Sequence, residues 1–248
     1  MKKITLLPRP DNKYRTQEGC IELHNKRKES MISLPNVVQI VEENNTEAIE
    51  NLREDFDDWF FITSSQVVYN ALGGKVINNA GSEVVKQTEI VLEEIPVCRP
   101  AYISNLLQID AGLKFVRALI NKPKATIQEI EMIFVALSGK QPKDIRFWTP
   151  TLDSRKSNPV RCVGLYFGVF DRFVVDADGS ADDVVGFSRG VIVPSAKQTK
   201  IFSRGAIFDL EKRTVTLPLQ KKYRKEIEKK IFKNKKVKIN WDLKIKTT

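Results

Sequence analysis

Three consecutive hydroxyl side chains, Thr63, Ser64 and Ser65, follow the apolar run Trp59 to Ile62. The apolar run predicts a buried strand, and the hydroxyls precede a helix predicted from Gln66 to Leu72. Free backbone N–H groups at a helix N-terminus, together with hydroxyls, bind carboxylate or phosphate. Open α/β sheets also bind ligands at the carboxyl ends of their strands. Plain capping of the helix explains the same residues, and both interpretations stay open.

An acidic run places carboxylates at Asp176, Asp178, Asp182 and Asp183. Clustered carboxylates bind Mg²⁺ or supply the nucleophile of a phosphatase. The run is similar to the nucleophile motif of haloacid-dehalogenase phosphatases. That motif lies near the N-terminus of its family's core, whereas only about 70 residues follow it in this chain. We therefore favour a polar turn over Asp176 to Ser180.

The histidine and cysteine content predicts neither a metal site nor a disulfide framework. Cys20, Cys98 and Cys162 are odd in number and far apart, which fits a reducing compartment. His24 is the single histidine, and no CxxC or HExxH motif accompanies it. We interpret His24 as an ordinary strand or surface residue.

The net charge of +10 is concentrated at the C-terminus. From Lys221 to Lys246 there are 12 Lys and Arg against three carboxylates, a net of +9. A solvated Lys-rich helix explains this segment, and so does an anion-binding surface. Tyr223, Phe232 and Trp241 are interleaved with the lysines, as a base-stacking surface requires. The candidate anion-binding residues are Lys221, Lys222, Arg224, Lys225, Lys229 and Lys230.

Alternating apolar runs and capped segments predict an α/β fold with mostly parallel sheets. The predicted strands are Val37–Val41, Trp59–Ile62, Lys75–Asn78, Leu113–Leu119, Ile145–Trp148 and Phe173–Val175. The predicted helices are Thr46–Phe56, Gln66–Leu72, 82–88, Tyr102–Ile109 and Thr126–Leu137. Residues 159–167 are consistent with a helix or a strand. The first three strands are expected to be parallel neighbours.

The order of these elements resembles uroporphyrinogen-III synthase, mainly over residues 1–150. Leu7-Pro8-Arg9-Pro10 stands where that family has Thr-Arg-Pro, with Pro8 replacing the threonine. The stretch 56–68 is similar to the family's Tyr-Asp-Trp strand running into Phe-Thr-Ser. Ser82 stands at the threonine of a Gly-x-x-Thr helix, and Lys114 to Arg117 resembles a strand ending in arginine. The family's second Thr-Ser motif is replaced here by Asp176-Ala177-Asp178.

This resemblance implies an enzyme with two facing lobes, the first discontinuous and made of residues 1–36 and 150–248, the second of residues 37–149. Such an enzyme cyclises linear hydroxymethylbilane with inversion of one pyrrole ring, and it uses no cofactor and no metal. It would act as a lyase of porphyrin biosynthesis by holding a polycarboxylate substrate in the reactive conformer. No catalytic residue is assigned. The substrate-binding residues implied by the resemblance are Thr63, Ser64, Ser65, Ser82, Arg9 and Arg117.

The alternative is a non-enzymatic protein that binds nucleic acid or an acidic protein through residues 221–248, as a subunit of a larger viral or nucleoprotein assembly. Either function is expected in the cytoplasm and away from membranes. No run of 18 apolar residues is present, and the apolar stretch after Met1 is too short for a signal peptide.

Overall fold

The computed structural model describes residues 4–70, 73–81, 86–90, 101–149, 160–193, 207–209 and 214–216. The chain divides into two compact units, residues 1–193 and 194–248. The helices of the first unit are α1 Gln17–Lys26, α2 Leu34–Glu42, α3 Thr46–Asp58, α4 Ile103–Leu107, α5 Asp110–Leu119 and α6 Ile127–Ser138. Its strands are β1 Thr5–Leu6, β2 Ser30–Met31, β3 Phe61–Asn70, β4 Gly73–Asn78, β5 Lys86–Ile90, β6 Ala101–Tyr102, β7 Ile145–Trp148, β8 Val160–Gly168, β9 Arg172–Ser180 and β10 Gly190–Ile192.

A seven-stranded mixed sheet organises the first unit, in the order β5-β4-β3-β8-β9-β7-β6. The β7–β9 pair is parallel, and the other neighbouring pairs are antiparallel. A small antiparallel sheet, β1-β10-β2, joins the start of the unit to its end. In the second unit, β11 Ile207–Asp209 pairs antiparallel with β12 Thr214–Thr216.

The main hydrophobic core lies between the seven-stranded sheet and the helices α2, α3, α5 and α6. Alternate residues of β8 and β9, among them Leu165 and Phe173, are fully buried in this core with Leu52 and Phe56 of α3. The Phe56 ring lies 5.4 Å from the Phe173 ring and meets the Phe61 ring edge-on at 5.5 Å. Aromatic contacts of this kind add about 0.5–1.5 kcal/mol to the burial of each pair.

The other face of the sheet carries a smaller core under α1. Cys162 of β8 and Ile62 of β3 pack there with Cys20 and Met31. Because successive side chains of a strand point to opposite faces, β8 contributes Cys162 to one core and Val163 to the other. Helices therefore cover the two faces unequally.

Two apolar runs predicted as strands are helices, and these predictions are wrong. Residues 37–41 belong to α2, which begins at the capping box of Ser33 with Asn36. Residues 113–119 belong to α5, where burial recurs at Ala111, Phe115 and Val116 with helical spacing. In both cases one apolar face of an amphipathic helix accounts for the run.

Three segments predicted as helices or as a turn are strands. The helix predicted from Gln66 is wrong over Gln66–Asn70, which continue β3, and Gly73-Gly74 begin β4. The predicted helix 82–88 is wrong over residues 86–88, which belong to β5, and the rest lies outside the described residues. The predicted turn over Asp176–Ser180 is the end of β9. In each case pairing with a neighbouring strand of the sheet overrides the local signal.

Several elements with strong local signals are confirmed. α6 has the capping box of Thr126 with Glu129 and ends at Gly139 in the left-handed conformation. The helix from Thr46 is α3, although Asn45 rather than Thr46 is its N-cap. α4 and the strands β4, β7 and β9 also lie where they were predicted, and the strand alternative holds for residues 160–167.

The mixed helix and strand content confirms the α/β class, but mostly parallel sheets and two facing lobes are not confirmed. β3 and β4 are antiparallel, with Asn70 paired to Gly73, so the prediction of a parallel pair is wrong. A parallel pair needs a crossover of about a dozen residues, which this connection lacks. β8 and β9, from the predicted discontinuous lobe, lie between β3 and β7 of the other. Within the described residues, no helix is long and apolar enough to cross a membrane.

We expect Gly112→Ala to destabilise the first unit despite the higher helix propensity of alanine. A Cβ at position 112 would stand 2.2 Å from the Leu106 carbonyl oxygen, so α4 and α5 must separate. The free energy of unfolding should fall by about 1–3 kcal/mol in urea titrations. Gly19→Ala in α1 is the matched control, because its nearest contact is Arg15 Cβ at 3.3 Å, and it should stay within about 1 kcal/mol of wild type. Equal stability of the two variants would contradict the packing at Gly112.

Candidate functional site

The hydroxyls of Thr63, Ser64 and Ser65 lie inside β3 and are at most 1% exposed. The β3–β8 register shifts between Ile62 and Gln66, so that these three residues form a bulge. Because they lie within a strand, the helix N-terminus predicted for an anion cradle is absent here.

Each hydroxyl of the bulge is hydrogen-bonded to another part of the fold. Thr63 Oγ1 donates to the carbonyl of Val163 at 2.7 Å, and Ser64 Oγ donates to that of Met31 at 3.1 Å. Ser65 Oγ donates to Asn78 Oδ1 at 2.6 Å and accepts from the Leu34 N–H at 3.0 Å. These bonds tie β3 to β8, β2, β4 and the start of α2.

The displaced backbone of the bulge is satisfied by Gln17 of α1. Its Nε2 donates to the Thr63 carbonyl at 2.7 Å and to the Ser65 carbonyl at 2.9 Å. The Ser64 N–H donates to the Ile32 carbonyl at 2.8 Å. Since Gln17 is fully buried, the bulge and α1 form one polar network within the fold.

The other predicted substrate-binding residues make structural contacts elsewhere. Arg9 Nε donates to Asp55 at 2.8 Å, and its guanidinium lies 3.7 Å from the centre of the Phe187 ring. Arg117 Nε donates to the Ala125 carbonyl at 2.8 Å. Ser82 and the basic residues Lys221, Lys222, Arg224, Lys225, Lys229 and Lys230 lie outside the described residues.

His24 joins Ser188 and Glu29 in the hydrogen-bond order of a catalytic triad. Its Nε2 lies 2.9 Å from Ser188 Oγ, and its Nδ1 lies 3.1 Å from Glu29 Oε2. The interpretation of His24 as a strand or surface residue is wrong, because it is fully buried in α1. Ser188 is only 2% exposed, so a substrate has no access to its hydroxyl. In this closed arrangement the three side chains link α1 to the segment that leads into β10.

Sequence reasoning missed this constellation because 164 residues separate His24 from Ser188. The only local signal was the spacing of His24 and Glu29 across the end of α1. Burial lowers the pKa of His24, while its contact with Glu29 opposes that shift. The imidazole is therefore held neutral.

The two described cysteines are poor nucleophiles. Burial raises the pKa of Cys162 to about 12, and burial also raises the pKa of Cys20. Asp176, whose charge adds to the shift at Cys162, accepts the N–H groups of Asp178 and Gly179 at 2.9 and 3.1 Å. In the part of the chain that the structure describes, no group of three or more His, Cys, Asp or Glu is placed to hold a metal ion.

A groove of about 660 Å³ crosses the sheet face opposite the main core, at the ends of β7, β8 and β9. The register places Arg146, Val174 and Tyr166 side by side, alternating with core residues such as Phe147 and Leu165. We call this surface the aromatic groove, and its principal lining residues are Trp59, Phe60, Arg146, Trp148, Tyr166 and Phe170.

The rings of the aromatic groove differ in how firmly they are held. Phe60 packs 5.4 Å from Tyr166 and covers Gly164, where an added Cβ would come within 2.1 Å of the ring. Trp59 and Phe170 are 57% and 81% exposed. Burial raises the pKa of Tyr166, so its hydroxyl stays protonated at physiological pH.

Arg146 brings positive charge into the aromatic groove. Its guanidinium lies 4.8 Å from the centre of the Tyr102 ring, and its NH2 group donates to the Tyr102 hydroxyl at 2.9 Å. Its Nε is buried and has no hydrogen-bond partner. The groove thus combines flat apolar surfaces with a guanidinium charge.

Comparison of the chain with protein-family models, characterised proteins and solved structures found no match. The resemblance to uroporphyrinogen-III synthase stays a prediction from the sequence.

We expect Ser65→Ala to lower the free energy of unfolding by about 1–3 kcal/mol, because it leaves the buried Leu34 N–H and Asn78 amide without their shared partner. Ser30→Ala, at an exposed position of β2, is the matched control and should change stability by less than about 0.5 kcal/mol. Urea titration monitored by circular dichroism measures both. An unchanged midpoint for Ser65→Ala would contradict the structural role of the hydroxyl.

The free energy of unfolding should decrease as the pH is lowered below about 6.5, because of His24. The unfolded chain binds a proton at His24 near pH 6.5, whereas the folded protein binds it only at lower pH, so acid favours the unfolded state. The contribution of this one group is at most about 1.4 kcal/mol per pH unit. His24→Gln should flatten that part of the pH dependence.

NMR titration of the imidazole measures this pKa directly, because His24 is the chain's single histidine. A midpoint at or above 6.5 in the folded protein would contradict the dominance of burial over the contact with Glu29.

Proposed function

We propose that the protein is a non-enzymatic nucleic-acid-binding protein and that residues 194–248 supply its electrostatic attraction to phosphates. The observation that carries this proposal is the match between the charge boundary and the unit boundary. Residues 194–248 contain 17 Lys and Arg against five Asp and Glu, a net of +12. Residues 1–193 contain 24 against 26, a net of −2.

The concentration of positive charge in residues 194–248 affects how the protein associates with polyanions. A compact unit with a large charge of one sign attracts polyanions over a distance of several ångströms and raises the rate of encounter. Release of counterions from a nucleic acid then supplies affinity that falls steeply with salt. The interleaved Tyr223, Phe232 and Trp241 favour nucleic acid over an acidic protein, because bases stack on aromatic rings.

The contacts of the first unit favour binding over catalysis. The hydroxyls expected to hold substrate carboxylates are engaged within the bulge, and the His24–Ser188 pair is closed to solvent. The described thiols have raised pKa values. Arg9, expected as a charge partner, is engaged by Asp55 and Asp58. These contacts do not support a uroporphyrinogen-III synthase function.

The test is fluorescence anisotropy of a labelled oligonucleotide with the full chain. If six to ten basic side chains contact phosphates, the affinity should fall by about 10³–10⁵-fold between 50 and 200 mM salt. A variant with six basic residues changed to Gln should lose most of the affinity and show a shallower salt dependence. Its substituted residues are Lys221, Lys222, Arg224, Lys225, Lys229 and Lys230.

The matched control removes the same charge from exposed positions of the first unit and should bind nearly as wild type. Its substituted residues are Lys13, Lys26, Lys28, Lys114, Lys124 and Lys143. No binding by the wild type at 50 mM salt, or equal losses in both variants, would overturn the proposal. Conversion of hydroxymethylbilane to the type III porphyrinogen by the wild type would establish the synthase instead.

A further inference from the structure

Two rings at the aromatic groove are exposed at an energetic cost to the free protein. Phe170 is 81% exposed at the tip of the β8–β9 hairpin and has a φ of 65°, a conformation that bulky side chains rarely adopt. Glycine or asparagine would occupy this turn more favourably. Trp59, at the end of α3, is 57% exposed. The Arg172 guanidinium lies 5.4 Å from the centre of the Phe170 ring, and the Trp59 ring lies 6.2 Å from the Tyr14 ring. More than half of each ring-bearing residue stays exposed beside these contacts, which leaves both rings open to bind a flat ligand.

The charges at the aromatic groove favour an anionic ligand. Arg146 and Arg172 make no ion pair with any described residue, and Arg146 Nε is buried without a partner. Asp58 is paired with Arg9, and Asp171 is paired with Lys140. Asp57 is the remaining carboxylate of the lining, so the groove keeps a net positive charge.

We propose that the aromatic groove stacks the bases of single-stranded nucleic acid, with Arg146 and Arg172 binding the adjoining phosphates. This inference rests on the proposed function and assigns it a site within the first unit. Every base has a flat face that stacks on an aromatic ring, and a guanidinium binds phosphate through paired N–H groups. In a duplex the bases stack on one another and are not available. The groove volume of about 660 Å³ lies within the range of ligand sites.

The substitutions that test the groove leave its supporting core in place. Phe170→Asn removes the exposed ring and suits the positive φ at that position. Arg146→Gln removes the guanidinium charge that contacts the Tyr102 ring. Met132 lies outside the groove and is 62% exposed, so Met132→Ala is the control for lost apolar surface. Lys26→Gln, whose side chain is 77% exposed, is the control for lost charge. Circular dichroism establishes that each variant folds.

The measurement is binding of the full chain to a 12-nucleotide single-stranded oligomer and to the duplex of the same length. Loss of one stacked base weakens binding by about 5- to 150-fold, so we expect a loss in this range for Phe170→Asn with the single strand. Its salt dependence should change less than that of Arg146→Gln, because Phe170→Asn removes no charge, although the Arg172 guanidinium loses the ring it lies over. Arg146→Gln should weaken binding and also reduce the salt dependence. Duplex binding and both control variants should stay near wild type.

Photocrosslinking identifies the contact independently. A single strand carrying 5-iodouracil should crosslink to peptides containing Trp59, Tyr166 or Phe170. Crosslinks confined to residues 194–248, or groove variants that bind as wild type, would overturn this inference while leaving the proposed function intact. Equal losses for single strand and duplex would overturn base stacking. Failure of the wild type to bind either nucleic acid would overturn the proposed function itself.

Discussion

The bulge at Thr63–Ser65 is the constraint on which the first unit depends. It interrupts the pairing of β3 with β8 near the middle of the seven-stranded sheet. Leaving such backbone groups unpaired in the interior costs about 1–3 kcal/mol each. Gln17 donates to the Thr63 and Ser65 carbonyls, and the Ile32 carbonyl accepts the Ser64 N–H. Together with the bonds of Ser65 Oγ to Leu34 and Asn78, these contacts fix α1, α2 and β4 against β3. The polar residues of this strand thus position three elements at once.

Elements whose signals lie within a few neighbouring residues were predicted correctly, whereas elements that depend on contacts between distant residues were not. α6 was predicted correctly because its capping box and Gly139 are local. The Thr-Ser-Ser run fits a helix cap equally well, and contacts with distant residues distinguish the bulge from it, among them that of Gln17, 46 residues from Thr63. The α/β class survived errors in single elements, because the elements that were predicted correctly include both helices and strands. The division into parallel lobes was not confirmed, since a correct topology depends on long-range strand pairing.

For the candidate sites too, the sequence predicted local features but not groups of residues that come from distant parts of the chain. The concentration of positive charge was evident from the sequence, because charge is a property of composition. The aromatic groove was not, since Trp59, Arg146 and Phe170 come from three separate parts of the chain. One local signal of the groove was present in the sequence. Val169-Phe170 is an apolar pair in the turn between two strands, and turns usually contain polar residues and glycine.

The position of β8 and β9 affects how the protein folds during synthesis. These strands occupy the centre of the sheet, but they are translated after both of the strands that flank them, β3 and β7. Until about residue 180 leaves the ribosome, β3 and β7 each present an unpaired edge, which is a template for pairing with another chain. Domains built this way fold slowly because their contacts are distant in sequence. We therefore expect the nascent chain to be most prone to aggregation late in its synthesis, before β8 and β9 are available to pair.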